Sequence, residues 1–378
     1  METDMTSRAL NLIAAAALAC VAGTAAAQAS SSVTFYGTID EYAGYFRSSS
    51  GTSLKGLYDG AFLRTRWGFR GVEDLGGGLT AKFQLEGGIN ADTGTSADAT
   101  RGFDRQSWVG LAGAFGEVRL GRQNGSIFYK GDYIDFTSRT LGSMVNNFGV
   151  PSRYDNAFMY ISPRMAGLQL DAQVSIAETG NGALKQGVIQ GSADYVNGPF
   201  RVGYAALRAK PPANATYGAS VFYDNAYFNY DYGQGKVYLA YVRSNNSAST
   251  AVSNNAGTIL GNVGGVVAGT NADVNRTYRI VQGSVDYRVM PSLRVGVLYG
   301  KITDTSGSGR DATGGGIGAY YDLSKRTMLY SLANTIKNDR NAGFRPSGSA
   351  GLAYNFSTPN DIHNRRLDGM QFGVLHRF

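Results

Sequence analysis

Hydrophobic and polar residues alternate along this chain in short runs. In 168–176, Leu168, Leu170, Ala172, Val174 and Ile176 share one face, and Gln169, Asp171, Gln173 and Ser175 the other. In 79–86 the two faces are Leu79, Ala81, Phe83, Leu85 and Thr80, Lys82, Gln84, Glu86; in 281–289 they are Val281, Gly283, Val285, Tyr287, Val289 and Gln282, Ser284, Asp286, Arg288. At the C-terminus Met370, Phe372, Val374, His376 and Phe378 oppose Gln371, Gly373, Leu375 and Arg377. A period of two marks strands whose two faces meet different surroundings. Taken singly, each run also fits a half-solvated antiparallel sheet in a soluble sandwich.

The connections separate the two readings. Short ones fall at 73–79, 113–117, 162–168, 196–200, 232–236, 289–293 and 322–326. Between them lie polar segments that are longer on average: 46–58, 90–102, 123–152, 178–186, 209–217, 244–275, 302–311 and 338–368. Seven turns and eight loops join sixteen strands, with both termini on the turn side. Short turns on one rim and long loops on the other describe an all-β, antiparallel transmembrane barrel with periplasmic turns and extracellular loops. Such a barrel must close, because lipid offers no partner to the free N–H and C=O groups of an edge strand. The last strand is therefore expected to pair with the first, near Val33–Tyr45. Sixteen strands leave an aqueous lumen, whereas eight would be filled by side chains. Trp67, Phe69, Trp108, Tyr287, Tyr299 and Phe378 fall at expected strand ends, where interfacial aromatic girdles belong.

Residues 9–27, ALNLIAAAALACVAGTAAA, read as the apolar stretch and small-residue exit of a secretory signal, with cleavage after Ala27 or Ala29. Cys20 would suit a lipoprotein, but it lies inside the apolar run. Cleavage after Ala27 leaves 351 residues, 28–378, with 34 Lys and Arg against 26 Asp and Glu, a net charge of +8. No later run approaches the ~18–20 apolar residues of a membrane helix.

Composition narrows the function. The chain has 52 Gly, 24 Tyr and 18 Phe but only 2 His and 1 Cys, so no histidine- or cysteine-based metal site and no disulfide framework is expected. No cofactor is expected either. An outer-membrane enzyme would need a nucleophile and a base; His363 and His376 are the only histidines, and no G-x-S-x-G elbow is present. The basic charges scatter through the strands instead of forming a run, which argues against nucleic-acid binding.

Several long motifs then carry a family resemblance. VTFYGTIDEYAGY (33–45), RTRWGFRGVEDLGGGLTAKFQLEGGIN (64–90), FDRQSWVGLAGAFGEVRLGRQ (103–123) and the terminal GVLHRF resemble the general diffusion porins of Gram-negative outer membranes, closest to their betaproteobacterial branch. The resemblance implies a homotrimer of 16-stranded barrels in the outer membrane, in contact with lipid and lipopolysaccharide. It also implies a third loop, here 123–152, folded inward to narrow the pore, and a terminal Phe378 read by the assembly machinery.

Alternation places Arg64, Arg66, Gly68 and Arg70 on one face of the second strand, and the same parity groups Arg105 with Ser107. Arginine at the lipid midplane costs ~2–4 kcal/mol, so these residues should face water. By resemblance Arg66 and Arg105 belong to a basic ladder on the pore wall, with Arg64 nearer the outer mouth. Asp132 and Asp135 of the third loop are the expected acidic partners. Charges facing one another across a narrow pore select solutes by charge and size. The expected function is a water-filled channel for passive diffusion of small hydrophilic solutes, with a preference for anions. A channel selective for one small anion, such as a carboxylate or phosphate, is the alternative. Arg122 shares an outward face with Val118 and Leu120, and the resemblance makes it a trimer contact, with Asp92 and Asp98 of the second loop as possible partners.

Overall fold

The computed structural model describes residues 31–176, 187–209, 221–245, 277–349, 356 and 358–378, with the backbone of two short paired segments at 262–263 and 266–267. The expected signal segment, 1–27, lies outside the described residues, as does most of the expected loops at 178–186, 209–217 and 244–275.

Sixteen barrel strands run in chain order among the described residues. They are β1 (Ser32–Ser48), β2 in two segments (Ser53–Asp59 and Arg66–Gly76), β3 (Leu79–Asn90), β4 (Gln106–Gly113), β5 (Gly116–Asn124), β6 (Arg153–Ile161), β7 (Leu168–Ser175) and β8 (Val188–Asn197). The second half comprises β9 (Phe200–Ala209), β10 (Val221–Asp231), β11 (Lys236–Ser244), β12 (Tyr278–Met290), β13 (Leu293–Asp304), β14 (Ala312–Asp322), β15 (Thr327–Asn338) and β16 (Arg366–Arg377). Each pairs antiparallel with the next, and β16 closes on β1 from Thr38↔Arg377 to Ser48↔Leu367. Among the described residues the barrel has no unpaired edge. No helix among the described residues is long and apolar enough to cross a membrane; the crossing elements are strands.

Burial runs inside out. Val109, Leu120, Phe158, Leu170, Val202, Leu239, Val297 and Phe372 stand exposed on the outer wall, while Gln173, Gln190, Asp194, Asn225, Gln282 and Gln371 are buried on the inner one. The LGGGL turn between β2 and β3 works because Gly76, Gly77 and Gly78 all take positive φ, at 85°, 60° and 81°, a region closed to most side chains.

Two expectations fail in the first hairpin. Residues 46–58 are not a loop: β1 continues to Ser48, a tight turn follows, and Ser53–Asp59 pairs back on Glu41–Arg47. The break comes later. Residues 60–65 leave the ladder and dip into the lumen, so Leu63 and Thr65 do not continue the lipid-facing parity of Trp67 and Phe69. Asp40 holds the dip: its Oδ2 accepts from the amides of Phe62 (2.8 Å) and Leu63 (2.6 Å), its amide donates to Thr65 Oγ1 (3.0 Å), and Tyr330 donates to its Oδ1 (2.6 Å).

The third loop enters the lumen after Gly125 through α1 (Ser126–Tyr129), a 3-10 turn (Lys130–Tyr133) and α2 (Met144–Phe148). Its Ile127, Ile134, Phe136, Leu141, Met144, Val145 and Phe148 are buried with Tyr223, Tyr278, Ile280, Leu298, Ile302, Tyr320 and Ile336 of the β10–β15 wall. Half of the barrel thus has a hydrophobic core of its own, and the water path is pressed against β2–β5.

Candidate functional site: the pore constriction

The narrow space is a cavity of about 280 Å3 between wall and loop. Arg66, Gln84, Glu86, Arg105 and Gln106 line it from the wall; Phe128, Tyr129, Asp132, Ser138 and Arg139 line it from the loop; Phe62, Leu63 and Ser349 close it above.

On the wall, one carboxylate organises two guanidinium groups. Arg105 Nε lies 2.7 Å from Glu86 Oε1 and Arg66 Nε 3.3 Å from Oε2. Tyr36 donates to the same Oε2 at 2.9 Å, and Gln84 donates to the Tyr36 oxygen at 2.5 Å. Gly68 sits opposite Glu86 in the ladder, where a Cβ would come within 2.3 Å of the Leu85 carbonyl. Arg66 and Arg105 therefore share one carboxylate, and that acid comes from β3. Glu86 was legible as an inward residue beside Gln84 and Lys82; its role as the common partner needed the cross-strand register.

The shared parity of Arg105 and Ser107 does not hold. In β4 Gln106 and Trp108 face the lumen, while Ser107, Val109 and Leu111 face out. Arg105 reaches the pore because it precedes the first residue of the strand and is free of its alternation. Trp108 is accordingly not part of a girdle: it is buried, and the Arg119 guanidinium lies 4.3 Å from its ring centroid. Arg64 stands above the narrow point, its Nη2 donating to Asn90 Oδ1 at 2.6 Å and its Nε 3.8 Å from Asp59.

On the loop, Asp132 does face the pore, its side chain 66% exposed. Asp135 does not. It is 1% exposed, accepts from the amides of Thr137 (2.9 Å) and Arg139 (3.2 Å) and from Thr137 Oγ1 (2.6 Å), and receives Gln282 Nε2 at 2.8 Å on its other oxygen. It ties a tight turn in which Ser138 and Arg139 both take positive φ, 54° and 67°. That turn delivers Arg139 to the pore, 4.0 Å from Asp132. The guanidinium lies 4.2 Å from the centroid of Phe128, with Arg153 at 4.9 Å from the same ring. Burial pulls Arg139 below its ordinary pKa, with Asp132 and Asp135 opposing; arginine nonetheless stays charged at neutral pH. Sequence reasoning missed Arg139, since no alternation runs through an irregular loop, and Arg153, which opens β6 at the end of that loop. Among the residues lining the cavity three arginines stand with two carboxylates, an excess of positive charge.

Of the residues expected at a subunit contact, Arg122 lies on the outer wall, and Arg122 and Asp98 are engaged within the chain. Arg122 donates from Nε to the Asp104 carbonyl (2.6 Å) and from Nη1 to Asp155 (2.6 Å), and Arg101 grips Asp155 through both terminal nitrogens at 2.9 Å. Asp98 pairs with Arg101 at 3.6 Å and not with Arg122. Hydrogen bonds from Thr100, then the charge of Arg101, hold its carboxyl below the ordinary range. Asp92 is exposed. Phe378 exchanges backbone hydrogen bonds with Gly37 at 3.0 and 3.1 Å, and its ring stands 5.7 Å from Phe35 on the outer wall.

Comparison with known proteins agrees with the fold. A family model described as Gram-negative porin matches residues 14–341. The chain is 31% identical over 373 residues to an outer membrane porin protein of Bordetella pertussis, covering 86% of this chain and 94% of that protein. It is 33% identical over 210 residues to outer membrane porin protein 32 of Delftia acidovorans, covering 51% and 59%. Among solved structures, the anion-selective porin from Comamonas acidovorans superposes with a TM-score of 0.68 at 25% identity, covering 92% of this chain and all of that one.

Proposed function

The chain belongs to the Gram-negative porin family, and from that premise we propose that its outer-membrane channel passes small hydrophilic solutes with a preference for anions. One observation carries the preference: Arg66, Arg105 and Arg139 line the cavity between wall and loop together with Glu86 and Asp132. The guanidinium groups of the wall are held in place by Glu86, so a passing anion meets charges that are already oriented. A low-dielectric wall focuses such a field and raises the local concentration of the opposite ion. The anion selectivity in the name of the Comamonas relative supports the same reading. We also read the chain as a homotrimer that meets lipopolysaccharide in the outer leaflet. The exposed rings of Phe35 and Phe378, with the half-buried Phe69 beside Phe35, on the β1–β2–β16 wall support a contact there.

Reversal potentials in planar bilayers under a salt gradient test the preference. An anion preference is expected at 0.1 M salt, shrinking toward 1 M as the Debye length falls from ~10 Å to ~3 Å. Arg66→Gln should move the permeability ratio toward unity with the barrel still folded, and Arg105→Gln should do the same. Cation preference in the unaltered protein would overturn the proposal.

A further inference from the structure

The outer wall of β11–β16 carries a line of cations just below the long-loop rim. Arg243 on β11 and Arg279 on β12 are direct cross-strand partners. Lys301 on β13 is opposite Val281, the next outward residue below Arg279. Lys301, Thr313, Lys337 and Arg366 then follow one another as partners across β13, β14, β15 and β16. All five cations are exposed. Partners in such a ladder have Cα atoms about 4.5–5.5 Å apart, and like charges placed so are unfavourable. The nearby acids do not cancel them. Asp311 is 3.9 Å from Lys301 and Asp368 is 2.9 Å from Arg366, but among the described residues Arg279 and Lys337 have no carboxylate partner.

Height adds a second constraint. Tyr241 and Tyr299, both exposed, are the next outward residues below Arg243 and Lys301. Tyrosines on a barrel exterior mark the membrane interface, so the cations stand at headgroup level. Directly beneath them the wall is hollow. Val285, Val297, Ile317, Ala333 and Met370 form one cross-strand row over β12–β16. With the small side chains of Ala319 and Ser331 they line an apolar depression of about 630 Å3. Lys301, Lys337 and Arg366 each lie four residues above a member of that row, roughly 13 Å at the rise of a strand.

We propose that β11–β16 form a binding site for a phosphorylated lipid of the outer leaflet, its phosphates bridging Arg279, Lys301, Lys337 and Arg366 and an acyl chain lying in the hollow below. The site makes specific the contact with lipopolysaccharide proposed above, but it is independent of the pore. An anion shared between the cations relieves the repulsion that Asp311 and Asp368 leave, and the hollow fits the part of an amphiphile that follows its headgroup.

The test uses the folded protein in neutral phosphatidylcholine nanodiscs, with fluorescent diphosphoryl lipid A as probe. Three results are expected. Lipid A stripped of its phosphates binds the unaltered protein far more weakly. The Arg279→Gln/Lys337→Gln double variant weakens binding of the phosphorylated probe by roughly thirtyfold. Ala333→Phe, which fills the hollow, weakens it as well. Equal affinity for the two lipids would overturn the proposal without any variant, and so would a double variant that binds normally. Full competition by inorganic phosphate would show a free-anion site and refute the lipid assignment. Normal binding by Ala333→Phe would refute the acyl seat. Reversal potentials of the same variants should be unchanged, so a failure here is separate from a failure of the proposed anion preference.

Discussion

Asp135 shows how a residue can shape a pore it never touches. A carboxylate in an in-folded loop was expected to face the wall arginines; Asp132 opens to the pore, and the arginine it lies nearest is Arg139 of its own loop. Asp135 instead turns back on its own loop and on Gln282. The difference is local backbone geometry: Asp before a pair of left-handed residues caps the turn with its side chain, and that use consumes the carboxylate. Asp135→Ala should release the turn and let Arg139 leave the passage. The expected outcome is a larger single-channel conductance with weaker anion preference, measured in bilayers, while Asp132→Asn, which removes a pore-facing negative charge, should strengthen the preference. If Asp135→Ala changes neither quantity, the turn holds without its cap. The wall residues were legible where the backbone is regular. Arg66, Glu86 and Gln84 follow the period of two. Arg105 was recognised by resemblance but assigned the wrong parity, and Trp108 was turned the wrong way with it, because the strand begins one residue after Arg105.

At the scale of elements, the loop stays inside because β13 and β14 leave room for it. A Cβ at Gly296 would stand 2.4 Å from the Phe136 ring, and one at Gly314 3.0 Å from Met144 Sδ. The tract ATGGGIGAYYD is a strand whose inner face has been emptied above Tyr320 to seat the side chains of the loop. Alternation alone shows such a tract as a weak strand and gives no hint of what fills the gap. Overpacking a core costs about 1–3 kcal/mol, so Gly296→Val should unseat Phe136 without unfolding the barrel. Noisier, larger conductance at unchanged mobility of the folded form in detergent gels is the expected result. A second element depends on protonation. Asp361, in the short helix α3 (Pro359–Ile362) beside the last strand, accepts from Ser50 (2.6 Å), Thr52 (2.7 Å) and Thr358 (2.7 Å), pinning the first hairpin turn to the last loop. Those hydrogen bonds hold its carboxyl below the ordinary range. With the folded pKa below the unfolded one, the stabilisation is complete above the ordinary carboxylate range and is lost as pH falls through the depressed value. Protease nicking of this rim should therefore rise in acid, and Asp361→Asn should abolish that pH dependence.

For the whole molecule, strand number, closure of β16 on β1 and short turns were legible, because each follows from alternation, chain length and the absence of edges in lipid; the in-folding of the third loop came from the family resemblance alone. The dip at 60–65 was not legible, since GAFLRT continues an apparently regular pattern while Asp40 draws its amides inward. Association is a question of the same scale, and Arg122 makes it testable. It lies on the outer wall, as its parity required, but Asp155 and the Asp104 carbonyl of the second loop hold it within its own chain. Arg101 grips the same Asp155 with two hydrogen bonds. A surface ion pair contributes only ~0–1 kcal/mol, but a bidentate network is worth more than the isolated pair. Arg122 and Arg101 together brace the root of the second loop, which presents Asp92 and Asp98 beyond it. Arg122→Ala should therefore lower the temperature at which trimers dissociate in detergent, with monomer fold and reversal potential little changed. Asp155→Ala separates the two ways this can happen. If Arg122 acts through the root of the loop, losing Asp155 loosens that root and lowers the dissociation temperature by a similar amount. If Arg122 instead meets a carboxylate of the neighbouring subunit, losing Asp155 frees its guanidinium for that contact and leaves the trimer at least as stable. An unchanged dissociation temperature in Arg122→Ala itself would remove the residue from assembly and leave it a bracket of the second loop alone.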